Sequence, residues 1–388
     1  MALCVYDKKT SQQSLEEKNC GLGILRPSKM TTFEEENGDY SLSIEYPMTD
    51  QDMMWTHLSP YAIVRNSEDQ LFTIHTCGTQ FSGGRAVWKA EASHISYYLA
   101  DKLVVNCVAN GVDCHTALNE IWNHTKRWEP PGPAADAVEY DFSFSSDRVY
   151  RDWKNISYHN ISPLSAILGT ENSILSLYGG SIHRDNFRIS FNEYKEKSRN
   201  NAFSIVHGLN MIEIRERICC KDYVTSTTGS DNYGNTTTLW GKHTSVAPHE
   251  ILKSLSFSYS NQVSDNMKRL HDDVEKYGVT YGSGLDISYE VKFKDLKNID
   301  KYKEWAQLQS YKIGDTGVIR SERLGIDVTA KIISRTINDI TGETESITLG
   351  NFAPSLWRND RFGIVSSNKR LKALEDLRVY NMFTWEAD

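Results

Sequence analysis

An alternation of apolar and polar residues with a period of two restricts the fold of this chain more than any other feature of its sequence. It is clearest over Tyr40–Tyr46, where every second side chain is aromatic or aliphatic. A period of two is typical of a β-strand with one buried face. The strand follows Asn37-Gly38-Asp39, and Asn-Gly favours tight hairpin turns because it tolerates positive φ. The sequence therefore predicts antiparallel β-structure built from hairpins.

Further strands surround this hairpin between residues 22 and 105. Pro60–Arg65 and Leu71–Thr76 are predicted to pair across a polar turn. Ala86–Ala92 is a further predicted strand, and it leads into a short helix over His94–Asp101. We expect these elements to form one small antiparallel β domain.

The pattern becomes mixed in the next part of the chain. Apolar residues at helical spacing predict a helix over Asp113–Trp128. A second helix is predicted to begin at Ser162-Pro163 and to end at Gly179-Gly180. Phe187–Phe191 alternates as a strand. These features indicate a compact α+β insert.

A second mixed part follows a return of strands after residue 200. Thr225–Val246 is rich in Ser, Thr, Gly and Asn, which is typical of an exposed loop or an extended hairpin. Ser264–Tyr277 has apolar residues at helical spacing, with Ser264 as the predicted N-cap and Gly278 as the stop. A strand over Tyr289–Phe293 and a short helix near Ile299–Leu308 complete this part.

The most regular β pattern comes near the end of the chain. Three strands are predicted over Thr316–Glu322, Ile326–Thr336 and Glu343–Leu349. Turns at Leu324-Gly325 and Asp339–Gly342 join them. Their lengths and turns suit a small barrel or a curled sheet. Because 388 residues exceed what one core usually supports, we expect a multidomain, β-rich α+β protein.

Charge and hydropathy exclude several classes of protein. The formal net charge is -8 with both signs interspersed, so nonspecific DNA binding by a basic surface is not expected. This balance of charges suits a conduit through which DNA passes without binding. Ordinary solubility explains it equally well. No stretch reaches the roughly 18–20 apolar residues of a membrane-spanning helix. Met1–Asp7 turns polar too soon for a secretory signal, which favours synthesis in a cytosol.

A search for catalytic and metal-binding patterns yields no candidate site. His249-Glu250 has no histidine at 253, so the zinc-peptidase pattern fails. Cys107, Cys114, His115 and His124 are close in sequence, but their spacing matches no common zinc site. Seven scattered cysteines without a Cys-x-x-Cys motif predict reduced, mostly buried thiols. We therefore expect no catalytic residue, no cofactor and no metal.

Three tryptophans leave a binding function open. Trp122, Trp128 and Trp153 fall in the first mixed segment, where a carbohydrate could stack on them. Packing in the core of the insert is the favoured alternative.

Several stretches, taken in order, resemble one family. They are Asn37–Pro47, Ala90–Leu99, Leu177–Phe187, Lys312–Thr316 and Ile347–Gly350. These segments are similar to motifs of the phage tail-tip proteins called prophage tail endopeptidase, or phage minor structural protein N-terminal region. The resemblance covers roughly residues 20 to 352. It departs from the family at Val206–Asn210, where a Gly-Lys-Asn-Leu element is common.

The resemblance implies a multidomain hub with two β-barrel domains and two inserts. The first barrel would span residues 1–103, and the second would combine 199–230 with 306–352. Residues 104–198 and 231–305 would be α+β inserts.

The resemblance also implies a function and a set of partners. The chain would be a baseplate hub protein of a phage or phage-tail-like particle, present as a homotrimer at the virion tail tip. Its ring would join the hexameric distal tail protein to the tip, and line or close the DNA channel. Further partners would be the tape-measure protein and distal tip or receptor-binding proteins. Alternatives are a peptidoglycan-cleaving tail endopeptidase and a carbohydrate-binding tail adhesin.

Residues 353–388 form a predicted C-terminal tail with a short helix over Asn368–Tyr380. Leucines recur along this helix, so we expect the tail to dock on a neighbouring subunit or a distal tip protein. Folding back on its own barrel is the alternative.

Overall fold

β-Strands dominate the chain, as the period-two pattern predicts. The computed structural model describes residues 3–49, 53–82, 84–126, 138–147, 149–150, 152–169, 172–192, 200–219, 225–240, 251–257, 266–281, 286–296, 311–350 and 365–366. The strands are β1 (Cys4–Tyr6), β2 (Gly23–Ile24), β3 (Lys29–Glu35), β4 (Tyr40–Pro47), β5 (Ile63–Arg65), β6 (Leu71–Ser82), β7 (Arg85–His94), β8 (Leu103–Val112), β9 (Thr125–Lys126), β10 (Ser143–Ser146), β11 (Lys154–Ile161), β12 (Ser181–Asp185), β13 (Arg188–Asn192), β14 (Phe203–Val206), β15 (Met211–Cys219), β16 (Ser226–Asp231), β17 (Thr236–Trp240), β18 (Leu252–Phe257), β19 (Asp286–Phe293), β20 (Thr316–Ser321), β21 (Ile326–Asn338), β22 (Glu343–Gly350) and β23 (Val365–Ser366). The helices are α1 (Gln12–Glu16), α2 (Cys114–Asn123), α3 (Ile174–Tyr178) and α4 (Asn266–Tyr281).

One large sheet contains strands from both ends of the chain. Its order is β15-β19-β22-β21-β3-β4-β7-β6-β5-β1-β2, and β20 and β23 pair with β21 while β14 pairs with β20. We call β1–β7 the first β unit, and β14, β15 and β19–β22 the second β unit. The antiparallel pairing of β21 with β3 joins the two units.

The first β unit is built on the predicted hairpin. Strands β3 and β4 pair across Asn37-Gly38, and Asn37 has the positive φ that the turn requires. Tyr40, Leu42, Ile44 and Tyr46 are all buried, so the alternation in the sequence correctly identifies the core face of β4.

The first mixed segment packs directly on this unit. Strands β8–β13 form two three-stranded sheets, β11-β8-β9 and β10-β13-β12. One apolar cluster, which we call the first apolar cluster, contains Tyr6 and Leu71 of the first β unit together with Ile121 of α2 and Phe191 of β13. The segment therefore shares its core with the strands that precede it.

The second β unit has a separate core. Ile319, Val328, Tyr289 and Leu349 are buried in one cluster from β19–β22. Strands β20, β21 and β22 confirm the predicted meander. Its turns contain Gly325 and Gly342 at positive φ, which glycine adopts without steric strain.

The second mixed segment forms a small peripheral layer. Strands β16, β17 and β18 make a three-stranded sheet, so the predicted extended hairpin is confirmed over the described residues. Helix α4 packs on it through Leu270 and Val274, which contact Tyr233 and Leu239.

Three helix predictions are wrong in their limits. Helix α2 ends at Asn123 rather than Trp128, because Thr125 and Lys126 leave it to pair with β8. The single helix predicted from Ser162 is instead a π-helical turn over Ser165–Gly169 followed by α3. Helix α4 continues through Gly278, since one interior glycine costs only about 0.5–1 kcal/mol.

Some predicted elements lie outside the described residues. These are the loop beyond Trp240, the N-cap at Ser264, the helix near Ile299–Leu308 and the tail helix over Asn368–Tyr380. In the tail, Val365–Ser366 pairs with Val328–Thr329 of the same chain, which is the fold-back alternative for that short segment. None of the helices in the described ranges has the length and apolar character that crossing a bilayer requires.

Candidate functional site at the junction of the two β units

The backbone of β3 and β21 holds the two β units edge to edge. Their ladder runs from Glu35 opposite Ser334 to Thr31 opposite Asn338. The Glu36 N–H donates to Ile333 O at 2.8 Å, which extends the contact by one residue. Because both strands also pair on their other side, neither presents a free edge at this junction.

Arg335 is a buried cation at the centre of the junction. Its Nε donates to Glu34 Oε2 at 2.7 Å. Its two terminal nitrogens donate to Glu68 Oε1 and Oε2 at 3.0 and 2.7 Å, a bidentate arrangement that fixes both side chains. Burial alone would lower the pKa of Arg335, but Glu34 and Glu68 raise it above its ordinary value. The guanidinium therefore stays charged.

Asp339 makes a second polar contact across the same junction. Its carboxylate accepts from the Thr32 hydroxyl at 2.6 Å, and from the Ser67 N–H at 3.1 Å and hydroxyl at 2.6 Å. Asn66 Nδ2 donates to Thr32 Oγ1 at 3.0 Å. Burial raises the pKa of Asp339 despite these donors. The turn between β5 and β6 is thus tied to the turn between β21 and β22.

A cleft of about 600 Å³ opens beside these contacts. It is lined by both β units and by β12 of the first mixed segment, with charged side chains from each. The lining residues that carry charge include Glu34, Glu35, Glu36, Arg184, Lys312 and Arg335.

Arg184 closes one wall of this cleft. Its Nη2 donates to Gly38 O at 2.7 Å, and its guanidinium lies over the rings of Tyr40 and Tyr97 at 5.4 and 5.8 Å from their centroids. Glu36, which also lines the cleft, pairs with Lys331 at 2.7 Å. Arg335, Glu34, Glu68 and Glu36 are thus held in ion pairs at the cleft, and these contacts join the surfaces that form it.

His94, beside the cleft, is a packed core residue. It is completely buried, stacks on Tyr40 with ring centroids 4.5 Å apart, and contacts Phe72 edge-on. Its Nδ1 lies 2.9 Å from the Ser96 hydroxyl and its Nε2 3.2 Å from Gln70 Oε1. Burial lowers its pKa well below the ordinary value, so the ring is neutral.

Cys107, Cys114, His115 and His124, which are close in sequence, are not grouped as metal ligands in the described part of the chain. Cys107 and Cys114 are buried in the first apolar cluster, whereas His124 is partly exposed and lies 3.4 Å from Glu120. His249 lies outside the described residues. Within the described ranges, grouped ligand atoms occur at His271, Asp272 and Glu275, all exposed on α4.

The tryptophans take different environments. Trp122 packs against the first apolar cluster, with Phe142 edge-on at 5.7 Å, and donates from Nε1 to Asp141 Oδ1 at 3.0 Å. Core packing is confirmed for this residue. Trp153 is exposed, and Trp128 lies outside the described residues.

The fold of this chain also occurs in solved phage tail proteins. The chain superposes on prophage tail protein gp18 of Listeria monocytogenes EGD-e with a TM-score of 0.59 and 16% identity, covering 92% of this chain and 96% of that one. It superposes on a tail protein of Neisseria meningitidis MC58 with a TM-score of 0.57 and 10% identity, covering 92% and 98%. It superposes on the 43 kDa tail protein of prophage MuSo2 from Shewanella oneidensis with a TM-score of 0.56 and 11% identity, covering 90% of this chain and 97% of that one.

The sequence assigns the chain to a particular family within this class. The family described as prophage endopeptidase tail matches residues 49–359, and the chain belongs to it. No curated protein shows significant similarity to this sequence.

Proposed function

We propose that this tail protein is a hub subunit of the tail tip. Three copies would form a ring that joins the hexameric distal tail protein to the tip and that lines or closes the DNA channel. The observation that carries this proposal is the edge-to-edge union of two β units in one chain. Three such chains present six β units, which reconciles sixfold and threefold rings by closed rotational symmetry.

The junction supports this role because a hub must hold its two units at a fixed angle. The Arg335 ion pairs and the Asp339 hydrogen bonds join β21 and the turn after it both to β3, through Glu34 and Thr32, and to the turn between β5 and β6. A bidentate guanidinium contact restricts rotation more than a single hydrogen bond does. We propose that the chain divides into barrel domains at 1–103 and at 199–230 plus 306–352, with β19 (Asp286–Phe293) contributed to the second barrel by the part of the chain at 231–305. The other proposed parts are the inserts, 104–198 and 231–305, and the tail, 353–388.

The remaining partners follow from this position in the tail. We propose contacts with the tape-measure protein and with distal tip or receptor-binding proteins, and with DNA only in transit. The net charge of -8 suits a channel wall to which DNA does not adhere. The subunit would be assembled in the host bacterial cytoplasm and would reside at the virion tail tip.

We further propose that the chain is not an enzyme, although its family name includes the word endopeptidase. At the cleft, Arg335 is paired with Glu68 and Glu36 with Lys331, and His94, beside the cleft, is buried and neutral. A general base needs access to the proton that it removes. The contacts of these groups suit a role in holding the junction together better than a role in catalysis.

Copy number at the tip tests the hub proposal. The chain should be labelled in assembled particles and the tips imaged without imposed symmetry. Three labels per tip are expected, and two or six would contradict the proposal. For the enzyme rival, purified full-length protein should be incubated with cell walls. Release of soluble peptidoglycan fragments above the level of a heat-inactivated sample would contradict the non-enzyme proposal.

A further inference from the structure

Two cysteines at the start of the chain lie beside each other. Cys4 begins β1, and Cys20 precedes the turn that enters β2. Val5 and Gly21 form a parallel bridge, and the Leu22 N–H donates to Val5 O at 2.8 Å. The bridge places the preceding residues, Cys4 and Cys20, on adjacent backbone segments. Their thiols are hydrogen-bonded to each other.

The bridge at Val5 and Gly21, one residue after each cysteine, is compatible with a disulfide between Cys4 and Cys20. Neighbouring strands lie about 4.8 Å apart. Cysteines joined by a disulfide usually have Cα atoms about 4.4–6.8 Å apart. Both residues are thiols in this structure. A bond between them would therefore need little movement of the backbone.

The two thiols differ in access to solvent, which suits a two-step reaction. Cys20 is exposed and can meet a reagent, whereas Cys4 is buried. Burial, together with the hydrogen bond to Cys20, raises the pKa of the Cys4 thiol to about 11. Cys4 is therefore a slow nucleophile toward anything except the sulfur next to it.

We propose that Cys4 and Cys20 form a covalent modification site, which reacts with a low-molecular-weight disulfide and ends as a Cys4–Cys20 crosslink. The Cys20 thiolate attacks one sulfur of the reagent, the bond between the reagent's sulfurs breaks, and one small thiolate leaves. Cys4 then loses its proton to solvent and attacks the Cys20 sulfur, displacing the second small thiolate. Two protein thiols are oxidised, and one reagent disulfide is reduced to two thiols.

The crosslink would close a loop that connects three parts of the protein. Within this loop, Gln12 Nε2 donates to Asp141 O at 3.1 Å, and its Oε1 accepts from the Asp141 N–H at 2.8 Å. Lys18 pairs with Asp69. The Tyr6 hydroxyl donates to Asn19 O. A bond at the base of the loop would keep these contacts in place when the segment opens transiently.

Intact-mass spectrometry of the full-length protein tests the site. The protein should be treated with oxidised glutathione under native conditions at mildly alkaline pH, until the mass stops changing. The expected product has lost two hydrogen atoms, and its non-reduced peptide map contains one linked pair, Cys4 with Cys20. Amide hydrogen exchange over residues 7–20 should slow in this product and recover on reduction.

Single substitutions separate the two steps. C4S lacks the resolving thiol, so it should accumulate the glutathione adduct on Cys20. C20S should give neither the adduct nor the crosslink, and C77S should behave as the unsubstituted protein because Cys77 has no place in the pair. A persistent adduct, a crosslink to another cysteine, or an unchanged mass in the unsubstituted protein would each overturn the proposal.

Discussion

Removing the charge of Arg335 is the most direct test of the junction between the β units. R335M keeps much of the apolar length of the side chain but deletes the guanidinium. Glu34 then loses its single charge-assisted contact, and Glu68 loses its bidentate one. The junction is left with two carboxylates, one on β3 and one on the turn between β5 and β6, that face a position without a cation.

The size of the effect follows from burial. Arg335 and Glu34 have side chains only 9% and 14% exposed, whereas Glu68 is 38% exposed. Breaking a fully buried pair by removing one partner costs about 3–5 kcal/mol. Because water screens the Glu68 part of the contact, we expect R335M to reduce the free energy of unfolding by about 2–4 kcal/mol.

A matched control lies on the same unit. Arg320 pairs with Asp327 at 3.2 Å, and both side chains are more than half exposed. R320A should therefore cost only about 0–1 kcal/mol. Urea unfolding followed by tryptophan fluorescence compares the two, using the first transition if several occur.

A rescue variant decides whether charge is the cause. R335M combined with E34Q and E68Q removes the uncompensated carboxylates, so it should recover most of the loss. Equal losses for R335M and R320A would refute the importance of this contact. A triple variant no more stable than R335M would refute the electrostatic explanation.

Three further variants test other parts of the fold. G317A should destabilise by about 1–3 kcal/mol, because a Cβ would lie 2.5 Å from carbons of the buried Phe203 ring, whereas G78A, with open space, should be nearly neutral in urea unfolding. I332A, in the second core, should cost about 2–5 kcal/mol in the same assay. D113A removes the N-cap of α2 and should cost about 0.5–2 kcal/mol near neutral pH. Burial raises the pKa of Asp113, but backbone and side-chain hydrogen bonds lower it below its ordinary value overall. The stability that the Asp113 carboxylate contributes should therefore be lost as the pH falls through this lowered pKa. Thermal unfolding should show D113A and the unsubstituted protein converging in stability in acid.

The sequence predicts those parts of the fold in which the paired strands are neighbours along the chain. The β3–β4 hairpin and the β20–β22 meander are predictable because each combines alternation with a turn that requires positive φ. Strand β13 was found for the same reason, since Ile189 and Phe191 are its buried positions. The limits of α2 and α4 were not predictable, because tertiary pairing and packing set them.

Strands in which the alternation of apolar and polar residues is short or interrupted cannot be predicted in full from the sequence. Strand β11 buries Ile156 and Tyr158 between polar residues, but only these two positions show the period. Strand β6 continues to Ser82 through Gly78 and Gln80, which do not favour a strand. Pairing with β7 maintains it, and a neighbouring strand cannot be read from β6 itself.

The junction could not be derived from sequence for a related reason. Glu68 and Arg335 are separated by 267 positions, so no local pattern connects them. One signal was available in β21, where Arg335 stands among residues of high β-propensity with no charged neighbour beside it. A charge flanked by uncharged residues in such a strand suggests a buried partner, but the sequence does not identify the partner.

The polar character of the junction is better explained by register than by stability. A buried ion pair is often no more stabilising than apolar residues of similar volume. A slip of one residue between β3 and β21, however, would move every side chain of one strand to the opposite face. Arg335 and Asp339 are bound by Glu68 and Ser67, which belong to the turn between β5 and β6 rather than to β3. The hydrogen bonds to this third segment form in only one register of β3 and β21, so they fix how the two β units meet. Apolar side chains in the same positions could pack in several registers.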